Sequence, residues 1–307
     1  MISNFAQGDA VEDFFVLVSA TLIPYDRGER LRIELSDATG KIEGVIWDSA
    51  SAIYEQIKES EIIKVRGLVT SYRDRPQLKV EKIRPATESD EIDLTRLIKV
   101  VPGGIEAQIE RFNQLLSTIE DPFISELIRL FKADSDLFER YSKAPAGKRW
   151  HHAYLGGLIQ HSVSMAELAA VVCDHYEELN RDLVVCGAFF HDVGKIFELS
   201  GEAKLDYTDK GRLIGHITLG DQLISSLIAK IPDFPEKLEF KIRHSILAHH
   251  GSFELGSPVK PQIREAFILH LLDLIDSGMN VFGRYDASRD GEWTDWVNLW
   301  ERYLYFG

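Results

Sequence analysis

The stretch "VVCGAFFHDVGKIFEL" (Val184–Leu199) runs apolar through Phe190 and then breaks into His191-Asp192, with Gly194-Lys195 close behind. A buried carboxylate is costly unless it is paired or bound to a cation. Asp192 is therefore either a neutralised structural residue or part of a site constructed around a cation. The surrounding sequence has a helical period. Helices are expected over Ile105–Ile119, Asp121–Tyr141, Gly157–Leu179, Asp182–Phe190, Ile217–Ile231, Pro235–Ala248 and Ile263–Met279, with another over Trp293–Tyr303. A short hairpin is expected within Lys204–Ile214.

Upstream of residue 90 the period changes to that of strands. "FFVLVSATLI" (Phe14–Ile23), "LRIELSD" (Leu31–Asp37), "KIEGVIWD" (Lys41–Asp48), "EIIKVRGLV" (Glu61–Val69) and "QLKVEKI" (Gln77–Ile83) are β-rich runs divided by turn signals. "SASAIYEQIKES", between the third and fourth runs, reads as a short amphipathic helix. Three strands, a helix and two strands suit a five-stranded Greek-key barrel. The order resembles an OB-fold, as does the turn within "LSDATGKIEGVIWD" (Leu35–Asp48). The expected fold class is multidomain β + α: an OB-fold barrel over 1–88, a linker over 89–104, and an all-α bundle over 105–307 that ends in an aromatic helix.

With 45% hydrophobic and 27% charged residues, the 307-residue chain can bury a sizeable core in one or two domains. A net charge of −14 argues against general affinity for nucleic acid or anionic membranes, though not against a local basic surface. Cys173 and Cys186 lie in apolar helical sequence and read as reduced core thiols. There is no signal-peptide pattern at the start, and no apolar run approaches the ~20 residues that span a bilayer. A soluble cytoplasmic protein without a membrane partner is the expectation.

All ten histidines lie between His151 and His270. His161 stands near the start of one helix, His191-Asp192 close another, and His216 heads a third. His249-His250 end a fourth in "ILAHHGS", and Asp273 lies within a fifth. Imidazoles and carboxylates from several helices can converge on a metal inside a bundle. That donor mixture suits divalent Mn, Fe, Co, Ni or Zn better than Ca or Mg.

This series resembles the HD-domain metal-dependent phosphohydrolases, most closely in "FFHDVGK" and "ILAHHGS". "HHAYLGGLIQHS", "YTDKGRLIGHI" and "EAFILHLLDLIDSGMN" are similar to the YhaM-type 3′-to-5′ exoribonucleases, which place an OB-fold before an HD domain. The resemblance implies hydrolysis of the terminal phosphodiesters of single-stranded RNA, with single-stranded DNA as a second candidate, by a hydroxide activated between two metals. It implies one ion on His161, His191, Asp192 and Asp273 and a second on Asp192, His216, His249 and His250. Asp192 would bridge the two. The expected ions are Mn²⁺, with Co²⁺, Fe²⁺ and Ni²⁺ as alternatives. One departure is Gly278, where the family often carries Lys or another polar residue.

Lys195 is placed in sequence to offset transition-state charge or assist the leaving oxygen, or else to neutralise a helix C-terminus. His151 and His152 are candidates for contacting the substrate phosphate or the metal ligands. Asp276 reads as a helix-surface carboxylate or a hydrogen-bond partner of the ligands, and His175, His244 and His270 as structural.

The stretch "KVRGLVTSYRDRPQLKVEKIR" (Lys64–Arg84) is basic within an acidic chain. Single-strand-binding barrels combine basic grooves with aromatic platforms. Arg66, Tyr72, Arg73, Arg75 and Lys79 are therefore candidate substrate contacts, and Tyr25 and Trp47 further stacking candidates. Trp293, Trp296 and Trp300 at helical spacing predict a helix that packs on the bundle or on a neighbouring copy, which makes a homo-oligomer a candidate assembly. The second functional reading is an HD-domain hydrolase of nucleotides or signalling nucleotides with a regulatory barrel. A third is a nucleic-acid adaptor with an inactive HD domain, against which the intact ligand series argues.

Overall fold

The computed structural model describes every residue except 27, 74, 88, 148–151, 201–204, 289–290 and 299. It contains two compact units, residues 1–100 with 200–206, and the remainder of the chain.

The first unit is a closed barrel of β1 (Ala10–Tyr25), β2 (Gly28–Asp37), β3 (Gly40–Ile46), β4 (Ile62–Tyr72) and β5 (Arg75–Pro85), in the order β1-β2-β3-β5-β4. All ladders are antiparallel except β3–β5. Strand alternation decides what fills it. Along β2, Leu31, Ile33 and Leu35 are buried, whereas Arg30 and Arg32 face outward. Helix α1 (Ala50–Ile57) contributes the fully buried Ile57 to the same core as Phe15, Val65 and Leu78. Within the stretch expected to be a linker lies a short helix, α2 (Leu94–Leu97), begun by Asp93, whose side chain accepts from Thr95 N. Arg96 fastens it to β1 through Asp13 at 2.7 Å.

The second unit follows with α3 (Ile105–Leu116), α4 (Pro122–Ala133), α5 (Ser135–Lys143), α6 (Gly157–His175), α7 (Arg181–Phe190) and α8 (Lys195–Glu198). A two-stranded pair, β6 (Leu199–Ser200) with β7 (Asp206–Tyr207), leads to α9 (Asp209–Leu213), α10 (His216–Ile228), α11 (Glu236–Ala248) and α12 (Arg264–Ser288). Helix α7 is apolar around its whole circumference, so it sits in the centre, buried from Leu183 to Phe190. Phe189 lies 4.2 Å from Phe112 between ring centroids, and Phe190 is 5.3 Å from Phe131.

Four expectations need correction. The hairpin expected within Lys204–Ile214 is displaced: among the described residues of that stretch only Asp206–Tyr207 is strand, paired with Leu199–Ser200, and Asp209–Leu213 is helix α9. The helix expected over Asp121–Tyr141 is two helices, because the Asp134 side chain accepts from Leu137 N and starts α5 afresh. No helix forms over Trp293–Tyr303 among the described residues. Trp293 and Tyr305 bridge instead, as do Val297 and Arg302, and the rings pair across the turn as Trp293–Tyr305 and Trp296–Tyr303. Cross-strand aromatic pairing thus overrides a spacing that also suits a helix. Finally, Arg264–Asp286 is 23 residues long and, by length and composition alone, apolar enough to cross a membrane, contrary to the expectation that no stretch approaches that length.

Candidate functional site

The second unit brings the seven residues of the histidine–aspartate series together. The chain turns sharply after α7, leaving His191 as its C-cap and Asp192 beside it. Gly194 is in ordinary right-handed helical conformation, so the turn itself does not require glycine. The reason is close approach: a Cβ at this position would lie 2.0 Å from His216 O and 2.6 Å from Gly220 N. The absent side chain lets the start of α10 press against the turn, which carries His216 to Asp192.

The two oxygens of Asp192 face different partners. Oδ2 lies 3.3 Å from His191 Nε2 and 3.9 Å from His161 Nε2, with Lys195 Nζ at 2.5 Å. Oδ1 lies 3.4 Å from His216 Nε2 and 3.6 Å from His249 Nε2. On the first side His161 Nε2 is 3.3 Å from Asp273 Oδ1 and 3.2 Å from His191 Nε2. On the second, the rings of His216 and His250 are 5.3 Å apart and those of His249 and His250 4.3 Å. Two groups of the series therefore place their donor atoms within 4.8 Å of one another: His161, His191 and Asp273, and His216, His249 and His250; His152, His161 and Asp276 form a third such group.

The opposite edge of each ring is already engaged. Nδ1 of His191, His249 and His250 donates to the carbonyls of Ala188, Ile246 and Leu255, at 3.0, 2.7 and 2.7 Å. Nδ1 of His216 donates to Glu198 at 3.0 Å, and that of His161 to Asp276 at 2.6 Å. Carbonyls and carboxylates only accept, so Nδ1 must carry the proton, and Nε2 of His161, His191, His216 and His249 is the edge turned to Asp192. Asp192 Oδ1, His216 Nε2 and His249 Nε2 are buried without a hydrogen-bond partner in the structure. Such convergent orphan atoms are costly unless something binds them, and imidazole with carboxylate is a donor set for a divalent transition metal. The residues fit such an ion.

Electrostatics divides the site further. Burial favours a neutral Asp192, but Lys195 and His191 outweigh it and hold the carboxyl well below its usual range. Burial also opposes charge on His161, yet Asp273 and Asp276 overcome it and raise this imidazole to about 9. His249 has burial as its main influence and falls to about 3. His250 is lowered for the same primary reason.

His152 is buried, with Nε2 2.9 Å from Asp276 Oδ2 and Nδ1 2.9 Å from the Tyr154 hydroxyl. It reaches the series through Asp276, which also accepts from Ser164 and holds His161. A Cβ on Gly157 would fall 1.9 Å from His152 O, so this glycine too marks a close approach. His151 lies outside the described residues. His270 Nδ1 donates to His249 O, and His244 Nε2 accepts from Gln262 N.

Glu198, Tyr154, Gln160, which accepts from the Tyr154 hydroxyl, and Asn280, whose Oδ1 accepts from His152 N at 2.9 Å, were not anticipated. Glu198 has the clearest role, accepting from both the backbone and the ring of His216. A glutamate seven residues after a histidine carries no local signal, because tertiary contact with α10 brings it there.

On the barrel, the residues of the basic hairpin line two concavities, and Trp47 borders both. Tyr72, Arg73 and Arg75 join Arg30, Arg32, Lys41 and Trp47 around a concavity of about 890 Å³. Arg66 and Lys79 line a different one of about 760 Å³ with Lys64, Lys82 and Arg84. The division follows from strand alternation and the path of β5 past β3. Arg66 also faces Glu81 at 3.6 Å, Lys64 faces Glu12 at 3.3 Å, and Arg84 pairs with Asp90 at 2.7 Å. Around the first concavity, Arg30 lies over the Trp47 ring at 5.3 Å and Arg73 over Tyr72 at 5.4 Å. Tyr25 meets Trp47 edge-on. The contributions of Arg30 and Arg32 were readable from the outward positions of "ERLRIE" once the strand pairing is known.

Comparison with known proteins adds two domain matches. Residues 158–278 match the HD domain, and residues 13–86 match the OB-fold nucleic acid binding domain. Among solved structures, the second OB-fold domain of replication protein A from Methanococcus maripaludis is 19% identical, over 30% of this chain and 97% of its own, with a TM-score of 0.24. The chain thus joins an OB-fold domain of the nucleic-acid-binding kind to an HD domain, the domain of metal-dependent phosphohydrolases.

Proposed function

We propose that the protein is a metal-dependent 3′-to-5′ exonuclease of single-stranded RNA, with single-stranded DNA as a second substrate, releasing nucleoside 5′-monophosphates. The observation that carries this reading is the division of Asp192 between two imidazole sets, each of its oxygens facing its own group. The domain order and the resemblance to YhaM-type exoribonucleases supply the substrate class. His161, His191 and Asp273 with Asp192 Oδ2 would hold one ion, and His216, His249 and His250 with Asp192 Oδ1 the other. Mn²⁺ is the first candidate.

Divalent ions bound in this way supply Lewis acidity and a water-derived nucleophile at neutral pH. Attack on the terminal phosphorus breaks its bond to the 3′ oxygen of the preceding nucleotide, which takes up a proton. The phosphate leaves on the 5′ oxygen of the released nucleotide. The Nδ1 hydrogen bonds keep the imidazole rings from turning. Lys195, beside Asp192, offsets the charge that gathers on the phosphate oxygens. The Tyr72–Arg73–Arg75 concavity would receive the strand through stacking and phosphate contacts.

The test is 5′-labelled single-stranded RNA incubated with Mn²⁺, with and without chelator, using Asp192→Ala as control. A ladder of progressively shorter products, absent with chelator and in the variant, is expected. Intact RNA alongside hydrolysis of free nucleotides would exclude the exonuclease and favour a nucleotide phosphohydrolase.

A further inference from the structure

We propose that Phe253 and Lys260, on the loop between α11 and α12, form a nucleobase-binding subsite beside the second imidazole set. The inference rests on the phosphodiesterase reading above and extends it to a part of the substrate that reading leaves without a seat.

His161, His191 and His249 are buried, whereas His216 and His250 keep partial exposure. Asp273 is partly exposed too, and the opening on the side of His216 and His250 is one at which a phosphate can enter. The loop after His250 is rooted at that opening, because Leu255 O accepts from His250 Nδ1 at 2.7 Å. It is a folded turn: Gly251 N donates to Ala248 O, Gly256 N to Phe253 O, and Ser257 N to Ser252 O. Yet it leaves Phe253 and Leu255 each 59% exposed. Lys260 Nζ lies 5.3 Å from the Phe253 ring centroid.

A second arm is rooted on the neighbouring imidazole. Thr208 N donates to Glu198 O at 2.9 Å, and Glu198 holds His216. This arm ends in Leu213, 85% exposed, two residues before Gly215. Singly scattered apolar side chains on a surface need no explanation. Here they stand on hydrogen-bonded segments anchored to the two solvent-facing imidazoles, and one is an aromatic ring beside a cation.

An aromatic face with an adjacent positive charge is the pairing that receives a base and its phosphate. A phosphate held at the histidines leaves its nucleoside in need of an apolar surface, which the exposed Phe253 ring offers. Lys260 adds positive charge in a chain of net charge −14. Stacking is tolerant of base identity, so the subsite takes the terminal nucleotide of any sequence.

The experiment measures binding of AMP and of ribose 5-phosphate to the full-length, Mn²⁺-supplemented protein by calorimetry. The wild type should bind AMP about tenfold or more tighter than ribose 5-phosphate, as one stacked base provides. Phe253→Ala should erase that margin without changing the affinity for ribose 5-phosphate, and Phe253→Trp should restore it. Equal binding of the two ligands by the wild type, no binding of either, or a margin that survives in Phe253→Ala would overturn the subsite. RNA shortening is scored separately. Its absence in a protein that keeps the Phe253-dependent margin would remove the exonuclease reading and leave the subsite standing.

Discussion

Each imidazole of the series has its Nδ1 edge fixed by an acceptor, and His161, His191, His216 and His249 turn the other edge toward Asp192, so ring orientation is held by groups outside the seven-residue series. Glu198 shows this most directly, because it fixes the ring of His216. Replacing it with Gln should lower affinity for the second ion about 10- to 100-fold while sparing the first, as loss of such a partner does elsewhere. Metal titration that resolves two affinities would check it, and an equal loss at both would contradict the division of roles. His161 provides a second prediction. Its ordinary value is 6.5 and the folded value about 9, so in metal-free protein its stabilisation is complete below pH 6.5 and disappears as pH rises through about 9. His249 and His250 are lowered, and so stay neutral across that window. A metal needs His161 deprotonated. The Tm of metal-free protein should therefore decline from pH 6.5 to 9, while the Tm gain on adding Mn²⁺ should grow. A Mn²⁺-induced gain that shrinks as pH rises would contradict the ligand role of His161.

At the scale of elements, the turn between α7 and α8 depends on a contact that one residue permits. Gly194→Ala would put a methyl group 2.0 Å from His216 O. Because that neighbour is backbone, α10 must shift and His216 must leave Asp192. The expected result is a folded, helical protein with a Tm several degrees lower and second-ion affinity reduced about tenfold or more. Unchanged metal binding by this variant would show that the contact does not position α10. The glycine is visible in the sequence, but its partner is not, since the close approach joins Gly194 to a segment several helical turns further along the chain. That contrast describes how legible the fold was. Helices with a long apolar period, such as α6, α7 and α11, could be read, as could strands alternating about a buried face. The break at Asp134 looked like the interior of one helix, because a capping aspartate and an exposed helical aspartate are the same letter. The aromatic tail misled because Trp293, Trp296 and Trp300 satisfy a helical spacing while the rings of Trp293 and Trp296 find partners across a turn. In the candidate site, residues of the histidine series stood out by order, whereas Glu198, Tyr154 and Asn280 became recognisable only through three-dimensional contact.

For the whole molecule, the sign and location of charge matter more than the total. The chain carries −14, yet Arg30, Arg32, Lys41, Arg73 and Arg75 gather around one concavity of the barrel together with Trp47 and Tyr72. A surface of this kind holds a single strand through phosphate contacts, which depend on salt, and through base stacking, which depends on it less. The two contributions can be separated. In Arg73→Ala/Arg75→Ala, affinity for an RNA of about 20 nucleotides should fall, and the slope of log K against log salt should flatten by about 0.7 for each phosphate that the protein no longer neutralises. Tyr72→Ala should weaken binding by about 1–3 kcal/mol while leaving the slope unchanged, because stacking releases no counterions. Neither change should alter hydrolysis of bis(p-nitrophenyl) phosphate, a small ester that needs only the histidine–aspartate series. Fluorescence anisotropy across a salt series, with ester turnover measured on the same preparations, checks all three expectations. If the arginine variant kept its slope while Tyr72→Ala flattened it, the assignment of charge and stacking would be reversed. If ester turnover fell along with RNA affinity, the barrel substitutions would be acting on the helical unit, and the concavity would not be an independent strand-binding surface.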